Sequence, residues 1–184
     1  MGTLLQVIEN LSSYVGPLSI FLFVLSFVIG VGLAIAALKG AAKRSEMGPS
    51  AGTWSTPMWT FIIAICFLAL PGFILSISIS FFGAEGTGSL TNPQSIFEHA
   101  PETVGLFDED SPGRDMITAI VTVVMLVGLI AVMRGLFLLN ESAKGQGPKT
   151  FGPGMTFVIA GVMGLNFPIF VGVMETMLVA TPPP

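Results

Sequence analysis

The residues best suited to chemistry lie in one acidic segment of the chain, and the chemistry they suggest is metal binding. His99 is the only histidine, and Glu98 and Glu102 lie beside it; imidazole and carboxylate groups together are ligands for divalent cations. The acidic run 108–110 could attract calcium, but it lacks the glycine and the ligand spacing of a calcium-binding loop. Because isolated histidine and acidic side chains in loops are usually solvated, we predict no metal site here.

Nucleophiles and phosphate-binding loops are not indicated elsewhere in the sequence. No serine lies in a nucleophile-elbow or membrane-protease pattern, and no glycine-rich loop follows a strand. Cys66, the single cysteine, lies inside an apolar run and is predicted to be a small buried apolar residue. The sequence therefore predicts no catalytic residue and a protein that is not an enzyme.

The composition indicates a membrane protein. Charged residues make up 10% of the 184 residues, 52% are hydrophobic, and the mean hydropathy is +0.86. A typical soluble domain has about 25% charged residues. So few charges cannot cover a water-soluble surface, whereas a bilayer requires no such surface. The net charge of −4 argues against nucleic-acid binding through a basic face.

Four apolar stretches are long enough to be transmembrane helices, which need about 20 residues each. They are residues 17–38, 58–82, 116–139 and 154–180. We therefore predict an all-α membrane protein with four transmembrane helices, arranged as two tandem helical hairpins, 17–82 and 116–180. Residues 39–57 and 140–153 would form the basic loops of these hairpins, and residues 83–115 an acidic loop between them.

An additional short helix is predicted at the N-terminus. Leu4, Ile8, Leu11 and Val15 recur at helical spacing, with polar residues elsewhere around the turn. This pattern is typical of an amphipathic helix that lies on a membrane surface; a frayed terminus is the alternative. We place the helix at residues 1–16, on the outer face of the membrane.

The basic residues indicate which way the helices face. Six of the seven lie in or beside the two basic loops: Lys39, Lys43, Arg44, Arg134, Lys144 and Lys149. Short basic loops stay in the cytoplasm, so both termini and the acidic loop are predicted to lie on the outer side of the membrane. Arg134 lies about a turn inside its apolar run and is expected to reach the cytoplasmic interface with its long side chain.

The same six cations are candidates for contacts with phospholipid headgroups or other phosphates. In a membrane-embedded protein these contacts would be made at the cytoplasmic face, and in a filament they would be made in its lumen. Attraction to an anionic surface amounts to about 1 kcal/mol per cation. An equally good explanation is that these cations only fix the orientation of the helices in the membrane and bind no phosphate.

The two hairpins resemble each other in sequence, which indicates an internal repeat. TPMWTFIIA corresponds to GPGMTFVIA, and LPGFI corresponds to FPIFV. Lys39-Gly40 pairs with Arg134-Gly135 at a distance of 95 residues, and Pro71 pairs with Pro168 at 97. An even number of predicted spans separates the two copies, so both would point the same way across the membrane.

Prolines and small residues predict how the helices bend and pack. Pro71 and Pro168 each remove a backbone donor in mid-membrane and should kink their helices, either as a packing feature or as the lining of a pathway. Asn166, two residues before Pro168, could cap the kink or bond to another helix. Small residues at multiples of four let helix backbones approach closely, within one chain or between copies. The predicted packing residues are Gly32, Ala36, Gly40, Gly164 and Gly172.

Several segments resemble the small polytopic proteins of type IVB secretion systems, the IcmC/DotE group, and their TraQ-like counterparts in I-type conjugation systems. The resembling segments are AALKGAAKRSEMG, STPMWTF, LPGFILSISISFFG and GPGMTFVIAGVMGLNFP. The resemblance implies an inner-membrane component that is needed for transfer of DNA or other substrates, with no catalytic residues to carry over. Each hairpin alone is also similar to a conjugative pilin of the VirB type, which implies a filament that retains lipid between its subunits.

The expected function is that of a structural membrane component of a type IVB secretion or conjugation apparatus. The protein would assemble through helix packing, self-associate into an oligomer or a pilin-like filament, and contact other secretion-system membrane proteins and transient DNA or protein cargo. Bound phospholipid is the only cofactor expected, and an extracellular pilus is the alternative location after assembly. The alternative function is a small-solute channel or carrier with kinked helices at Pro71 and Pro168.

Overall fold

Helices form the fold in the part of the chain that the structure describes. The computed structural model describes the backbone of residues 2–48, 54–86, 112–145 and 150–169, and the side chains of 14–48, 54–83, 117–145 and 150–169. The helices are α1 (Gly2–Met47), α2 (Ser55–Leu68), α3 (Leu70–Gly86), α4 (Pro112–Ala143) and α5 (Phe151–Leu165). No strand occurs among the described residues, so the all-α prediction is confirmed for them.

Two of these helices are long and apolar enough to cross a membrane. They are α1 over residues 14–47 and α4 over residues 117–143. The pair α2–α3 is a third such unit if its two bent helices count as one span, and α5 is a shorter apolar helix. This set of helices is consistent with a membrane protein. Residues 170–180, the last part of the fourth predicted span, lie outside the described residues.

The N-terminal residues do not form a separate helix, contrary to the prediction for residues 1–16. Helix α1 is continuous from Gly2 to Met47 and passes through Pro17. A proline removes one backbone donor, while apolar surroundings favour keeping the other backbone hydrogen bonds of the helix. The Ser19 hydroxyl donates to the Gly16 carbonyl oxygen over 2.8 Å, which stabilises the turn around the proline.

Helices extend into both ends of each predicted basic loop, and residues 49–53 and 146–149 lie outside the described part of the chain. The first was expected at residues 39–57, but α1 continues to Met47 and α2 begins at Ser55. Alanine, lysine, arginine and glutamate, which dominate the end of α1, are good helix formers. The second loop, expected at residues 140–153, shortens in the same way, because α4 continues to Ala143 and α5 begins at Phe151. The cations of the first loop therefore lie on a helix.

Glycines in a left-handed conformation end both of the long helices. Gly48 follows α1 directly with a φ of 68°, and Gly145 lies two residues after α4 with a φ of 71°. Only glycine adopts such angles without strain, which is why it commonly terminates helices. The two glycines are 97 residues apart in sequence.

Helix α4 is at the centre of the packing. It packs along α5 and also contacts α1 and α2. The buried apolar side chains are Ile63, Phe67, Leu70, Ile74, Val121, Met125, Leu129, Val132, Met133, Leu136, Val158, Val162 and Leu165. The rings of Phe67 and Phe137 contact each other with centroids 5.0 Å apart. The two hairpins therefore share one apolar core.

The predicted span 58–82 is interrupted by a sharp bend. Helices α2 and α3 meet at Ala69 at an angle of 92°. The N–H of Ala69 still donates to the Ile65 carbonyl oxygen over 2.9 Å. Pro71 cannot donate, so the next hydrogen bonds that would keep the helix straight are interrupted there.

Candidate functional site at the helix breaks

The first helix break leaves a backbone carbonyl group that a serine from another helix satisfies. In a straight helix the Phe67 carbonyl would accept a hydrogen bond from the N–H of residue 71, which is a proline. The Ser26 hydroxyl of α1 donates to this carbonyl oxygen instead, over 2.8 Å. Ser26 and Phe67 are fully buried, and an unpaired carbonyl there would be costly. Ser26 therefore holds the break against α1.

The second helix break is held by Asn166. This residue caps α5, two positions before Pro168. Its side-chain amide nitrogen donates to the Val162 carbonyl oxygen over 2.8 Å and to the Ser78 hydroxyl oxygen over 2.7 Å. Asn166 is 4% exposed and Ser78 is fully buried. Because Ser78 lies on α3, the amide joins the end of α5 to the bent helix of the first hairpin.

The two breaks occupy equivalent positions in the two hairpins. Ala69 and Asn166 follow the last residues of α2 and α5, and each lies two residues before a proline. The two residues are 97 positions apart, the same interval that separates the two left-handed glycines. Bends were expected at Pro71 and Pro168. In the structure a helix ends three residues before each of these prolines, at Leu68 and at Leu165.

The helix crossings in the two hairpins are also equivalent. A Cβ placed on Gly30 would lie 2.8 Å from the Leu68 nitrogen, and one on Gly128 would lie 2.9 Å from the Leu165 nitrogen. Gly30 of α1 is therefore equivalent to Gly128 of α4. Seven residues further along each helix, Ala37 is equivalent to Gly135. The sequence pairing of Gly135 with Gly40 is therefore wrong by about one helical turn, because it was based on the adjacent basic residues and not on the helix contact.

Glycines bring α4 and α5 into backbone contact. A Cβ on Gly128 would lie 2.7 Å from the Gly161 carbonyl oxygen, and a Cβ on Gly135 would lie 2.7 Å from the Gly154 carbonyl oxygen. On each helix the two glycines are seven residues apart, so they lie on one face. The prediction from four-residue spacing missed this set, and the repeated seven-residue interval is the sequence signal that would have found it.

Only some of the small residues that were predicted to pack lie at a helix contact. Gly32 and Ala36 are exposed on α1, and a Cβ on Gly32 would meet no atom within 4 Å. A Cβ on Gly40 would have one ordinary contact with α2, at 3.8 Å, whereas a Cβ on Gly164 would lie 3.3 Å from the Gly128 Cα of α4. Gly172 lies outside the described residues. For Gly32 and Ala36, contact between copies of the chain stays a prediction.

Among the described residues, four of the cations predicted to contact phosphates lie near the ends of α1 and α4, and Arg134 lies nine residues before the end of α4. Lys39 and Lys43 are exposed on the last turns of α1, and Lys144 is exposed just after α4. Arg44 differs from these lysines, because it is half-buried. Lys149 lies outside the described residues.

Arg134 makes an aromatic contact within the second hairpin. Its guanidinium carbon lies 5.5 Å from the centroid of the Phe157 ring on α5, which is within the range of a cation–π interaction. Arg134 itself is exposed. The contact stabilises the pairing of α4 with α5 near the glycine crossing, so this cation has a packing role in addition to any contact with phosphate.

Metal-binding groups are not assembled in the part of the chain that the structure describes. No group of three or more histidine, cysteine or acidic side chains occurs there that could hold a metal ion. His99, Glu98, Glu102 and residues 108–110 lie outside the described residues, so the absence of a metal site at those positions stays a prediction. Cys66 is half-buried in α2.

The polar groups at the breaks are suited to holding helices in place. Serine and asparagine do not ionise near neutral pH, and here they bond to backbone carbonyl groups and to each other. Comparison of the chain with protein-family models, with curated proteins and with solved structures finds no match. What the chain does is therefore inferred from its residues and their geometry.

Proposed function

We propose that the chain is a structural component of a type IVB secretion or conjugation apparatus. The observation that carries this proposal is the matched geometry of the hairpins, in which each second helix ends three residues before a proline and each helix pair crosses at a glycine. A repeated hairpin with close backbone contacts is well suited to helix packing and assembly. The sequence resemblance to the IcmC/DotE and TraQ-like proteins is the reason to propose this apparatus.

In this proposal the two hairpins are an internal repeat and form four transmembrane helices. The pair α2–α3 would be one bent span, and residues 154–180 would be the fourth span. The basic ends of α1 and α4 would face the cytoplasm of a bacterium, with both termini in the periplasm. The protein would have no enzymatic activity of its own.

The exposed apolar faces would serve for association. On α1, Phe21, Val24 and Val28 are each more than half exposed, so lipid or other protein would cover them in a membrane. We propose self-association into an oligomer or a pilin-like filament, together with other secretion-system membrane proteins. DNA or protein cargo would be a transient partner that contacts the six cations predicted from the sequence.

A channel or carrier for small solutes is the second candidate. The observation that favours it is the pair of helix breaks with buried polar groups, Ser26 at one and Asn166 with Ser78 at the other, because interrupted helices bind and pass solutes in many transporters. Against it, these polar groups are already hydrogen-bonded to protein atoms. Flux of small solutes into liposomes that contain only the purified protein would favour the channel.

The test of the structural role is assembly in cells. The full chain, tagged at one terminus, would be isolated from cells that are actively transferring DNA and examined by crosslinking and electron microscopy. We expect a regular oligomer, a filament or a complex with other transfer proteins, and loss of transfer on deletion. A protein that is always monomeric and whose deletion leaves transfer unchanged would contradict the proposal.

A further inference from the structure

A groove between α1 and α2 has the size and chemistry to hold a hydrocarbon chain. It encloses about 200 Å³ near the end of α1 and the start of α2, and its lining exposes no polar surface. The main lining residues are Ala37, Leu38 and Ala41 from α1, Trp54 directly before α2, and Pro57 and Phe61 from α2. Two small alanines on one side and large side chains on the other create the space.

Arg44 lies on the same face of α1 as the groove. Ala37, Ala41 and Arg44 are spaced by four and by three residues, so they form one line along the helix. A helical side chain leans toward the N-terminal end of its helix, which directs Arg44 back toward Ala41. Trp54 lies at the same end of the groove, directly before α2, and is 54% exposed.

The guanidinium group of Arg44 has a buried nitrogen that needs an acceptor. Nη1 is buried and has no hydrogen-bond partner among the described residues. An unpaired buried donor is costly, and a guanidinium group matches the oxygen atoms of a phosphate. Lys39, Lys43 and Glu46 lie on the side of α1 away from the groove, by helical spacing. Arg44 does not line the groove itself, but it is the α1 charge on the same side of the helix, one turn beyond Ala41.

We propose that this groove binds an acyl chain of an anionic phospholipid whose phosphate group accepts hydrogen bonds from Arg44. The apolar lining holds the chain, and the Trp54 indole lies at the level of the headgroup, where tryptophan is favoured. The lipid satisfies Nη1 and fills a space that neither helix fills. The site does not depend on the secretion role, since it would be present in a channel as well.

Tryptophan fluorescence provides the test, because the chain has only two tryptophans. The full chain with Trp59→Phe, which retains Trp54 as the sole reporter, is placed in phosphatidylcholine nanodiscs that contain increasing fractions of chain-brominated phosphatidylglycerol. Chain-brominated phosphatidylcholine serves as the comparison lipid. We expect half-maximal quenching of Trp54 at a roughly fivefold lower fraction of phosphatidylglycerol, the factor that corresponds to about 1 kcal/mol for one cation at an anionic group.

Two charge variants on neighbouring residues make the test specific. Arg44→Gln should abolish the preference for phosphatidylglycerol, whereas Lys43→Gln, on the other side of the helix, should change it by less than about twofold because exposed charges are screened. Ala41→Leu fills the groove without changing the charge and should weaken quenching by both lipids. Far-UV circular dichroism confirms that each variant is folded.

Three results would overturn the proposal. Equal quenching by both lipids in the Trp59→Phe protein would mean that only non-specific boundary lipid contacts Trp54. Equal effects of Arg44→Gln and Lys43→Gln would mean a diffuse charge effect. Loss of the preference on addition of millimolar inorganic phosphate would mean that Arg44 binds a free anion and that the groove does not hold the lipid.

Discussion

At the first helix break, the Ser26 hydroxyl occupies the place of the N–H that Pro71 lacks. The bond to the Phe67 carbonyl oxygen is 2.8 Å long and fully buried. Bonds of this kind between membrane helices contribute on average about 0.6 kcal/mol and at most about 2 kcal/mol. The effect of Ser26 should therefore be measurable but should depend on the residue at position 71.

Replacing Ser26 by alanine tests this dependence. We expect Ser26→Ala to lower the free energy of unfolding by about 1 kcal/mol, because the Phe67 carbonyl group is left unpaired in an apolar core. In a Pro71→Ala background the loss should be smaller, since alanine supplies the missing backbone N–H. Unfolding in mixed micelles by sodium dodecyl sulfate measures both values.

Ser76→Ala is the matched control for Ser26. Ser76 is exposed, and its hydroxyl donates to the Gly72 carbonyl oxygen within its own helix. Its replacement should change the free energy of unfolding by less than about 0.5 kcal/mol. A Ser26→Ala effect that is identical with and without Pro71 would contradict the assigned role of the serine.

The prolines could be predicted as break points from the sequence, but the groups that hold the breaks could not. A proline in a helix has a local effect on its own backbone, so Pro71 and Pro168 were sufficient to locate the bend after α2 and the end of α5. Ser26 lies 41 positions before its acceptor, and Ser78 lies 88 positions before Asn166. Such pairs depend on how the helices pack, which a single sequence does not specify.

At the scale of the helices, the α4–α5 contact depends on having no side chain at four positions. Gly128 faces Gly161, and Gly135 faces Gly154. A Cβ on Gly128, Gly135 or Gly161 would lie 2.6–2.7 Å from a backbone oxygen, and one on Gly154 would lie 3.0 Å from the Leu139 side chain. At Gly128, Gly135 and Gly161 the nearest obstructing atom belongs to the backbone, so a larger residue there requires the helices to separate. At Gly154 the nearest atoms belong to the Leu139 side chain, which can move.

Gly128→Ala should separate α4 from α5. We expect it to lower the free energy of unfolding by about 1–3 kcal/mol, the usual cost of overpacking, even though alanine is the better helix former. Gly32→Ala, on the exposed side of α1, should leave this free energy unchanged within about 0.5 kcal/mol or raise it slightly. The same sodium dodecyl sulfate titration measures both, and equal effects would contradict the proposed contact.

The Asn166–Ser78 bond should couple α5 to α3. In a double-mutant cycle with Asn166→Leu and Ser78→Ala, we expect a coupling energy of about 0.5–1.5 kcal/mol. The two single variants should each be less stable than the unmodified protein, and the double variant should be less affected than the sum of the two. Strict additivity would show that the bond does not join the two hairpins.

The element boundaries could be predicted only in part. The apolar stretches located the cores of α1, α2, α4 and α5, because length and hydropathy are properties of the sequence itself. The continuation of α1 through Pro17 and as far as Met47 was not predicted, since charged and proline residues were taken to end the span. The glycine contacts were missed because the prediction used four-residue spacing, whereas these glycines recur at seven-residue spacing on both helices.

At the scale of the whole molecule, the bent pair α2–α3 decides the topology. If the pair crosses the membrane, the ends of α1 and α4 lie on the same side. If the pair enters and returns on one side, those ends lie on opposite sides, since α4 then crosses in the other direction. The bend of 92° is compatible with both arrangements.

Cysteine labelling distinguishes the two arrangements. In a Cys66→Ser background, single cysteines would replace Ser45, Ser142 and Ser95 and be tested with a membrane-impermeant maleimide in intact spheroplasts and in inverted vesicles. For four spans, we expect labelling of positions 45 and 142 in inverted vesicles only, and of position 95 in spheroplasts only. Labelling of positions 45 and 142 from opposite sides would contradict four spans.

The short second helices have a consequence for the bilayer itself. Helix α2 has 14 residues and α5 has 15, so each is only about 21–23 Å long, against a hydrocarbon thickness of about 30 Å. The part of α1 that is a candidate membrane span, Tyr14 to Met47, has 34 residues and is longer than that thickness. For a bilayer this means that α1 by itself is longer than the hydrocarbon thickness, whereas α2 and α5 cross it only if the residues after each break complete the span.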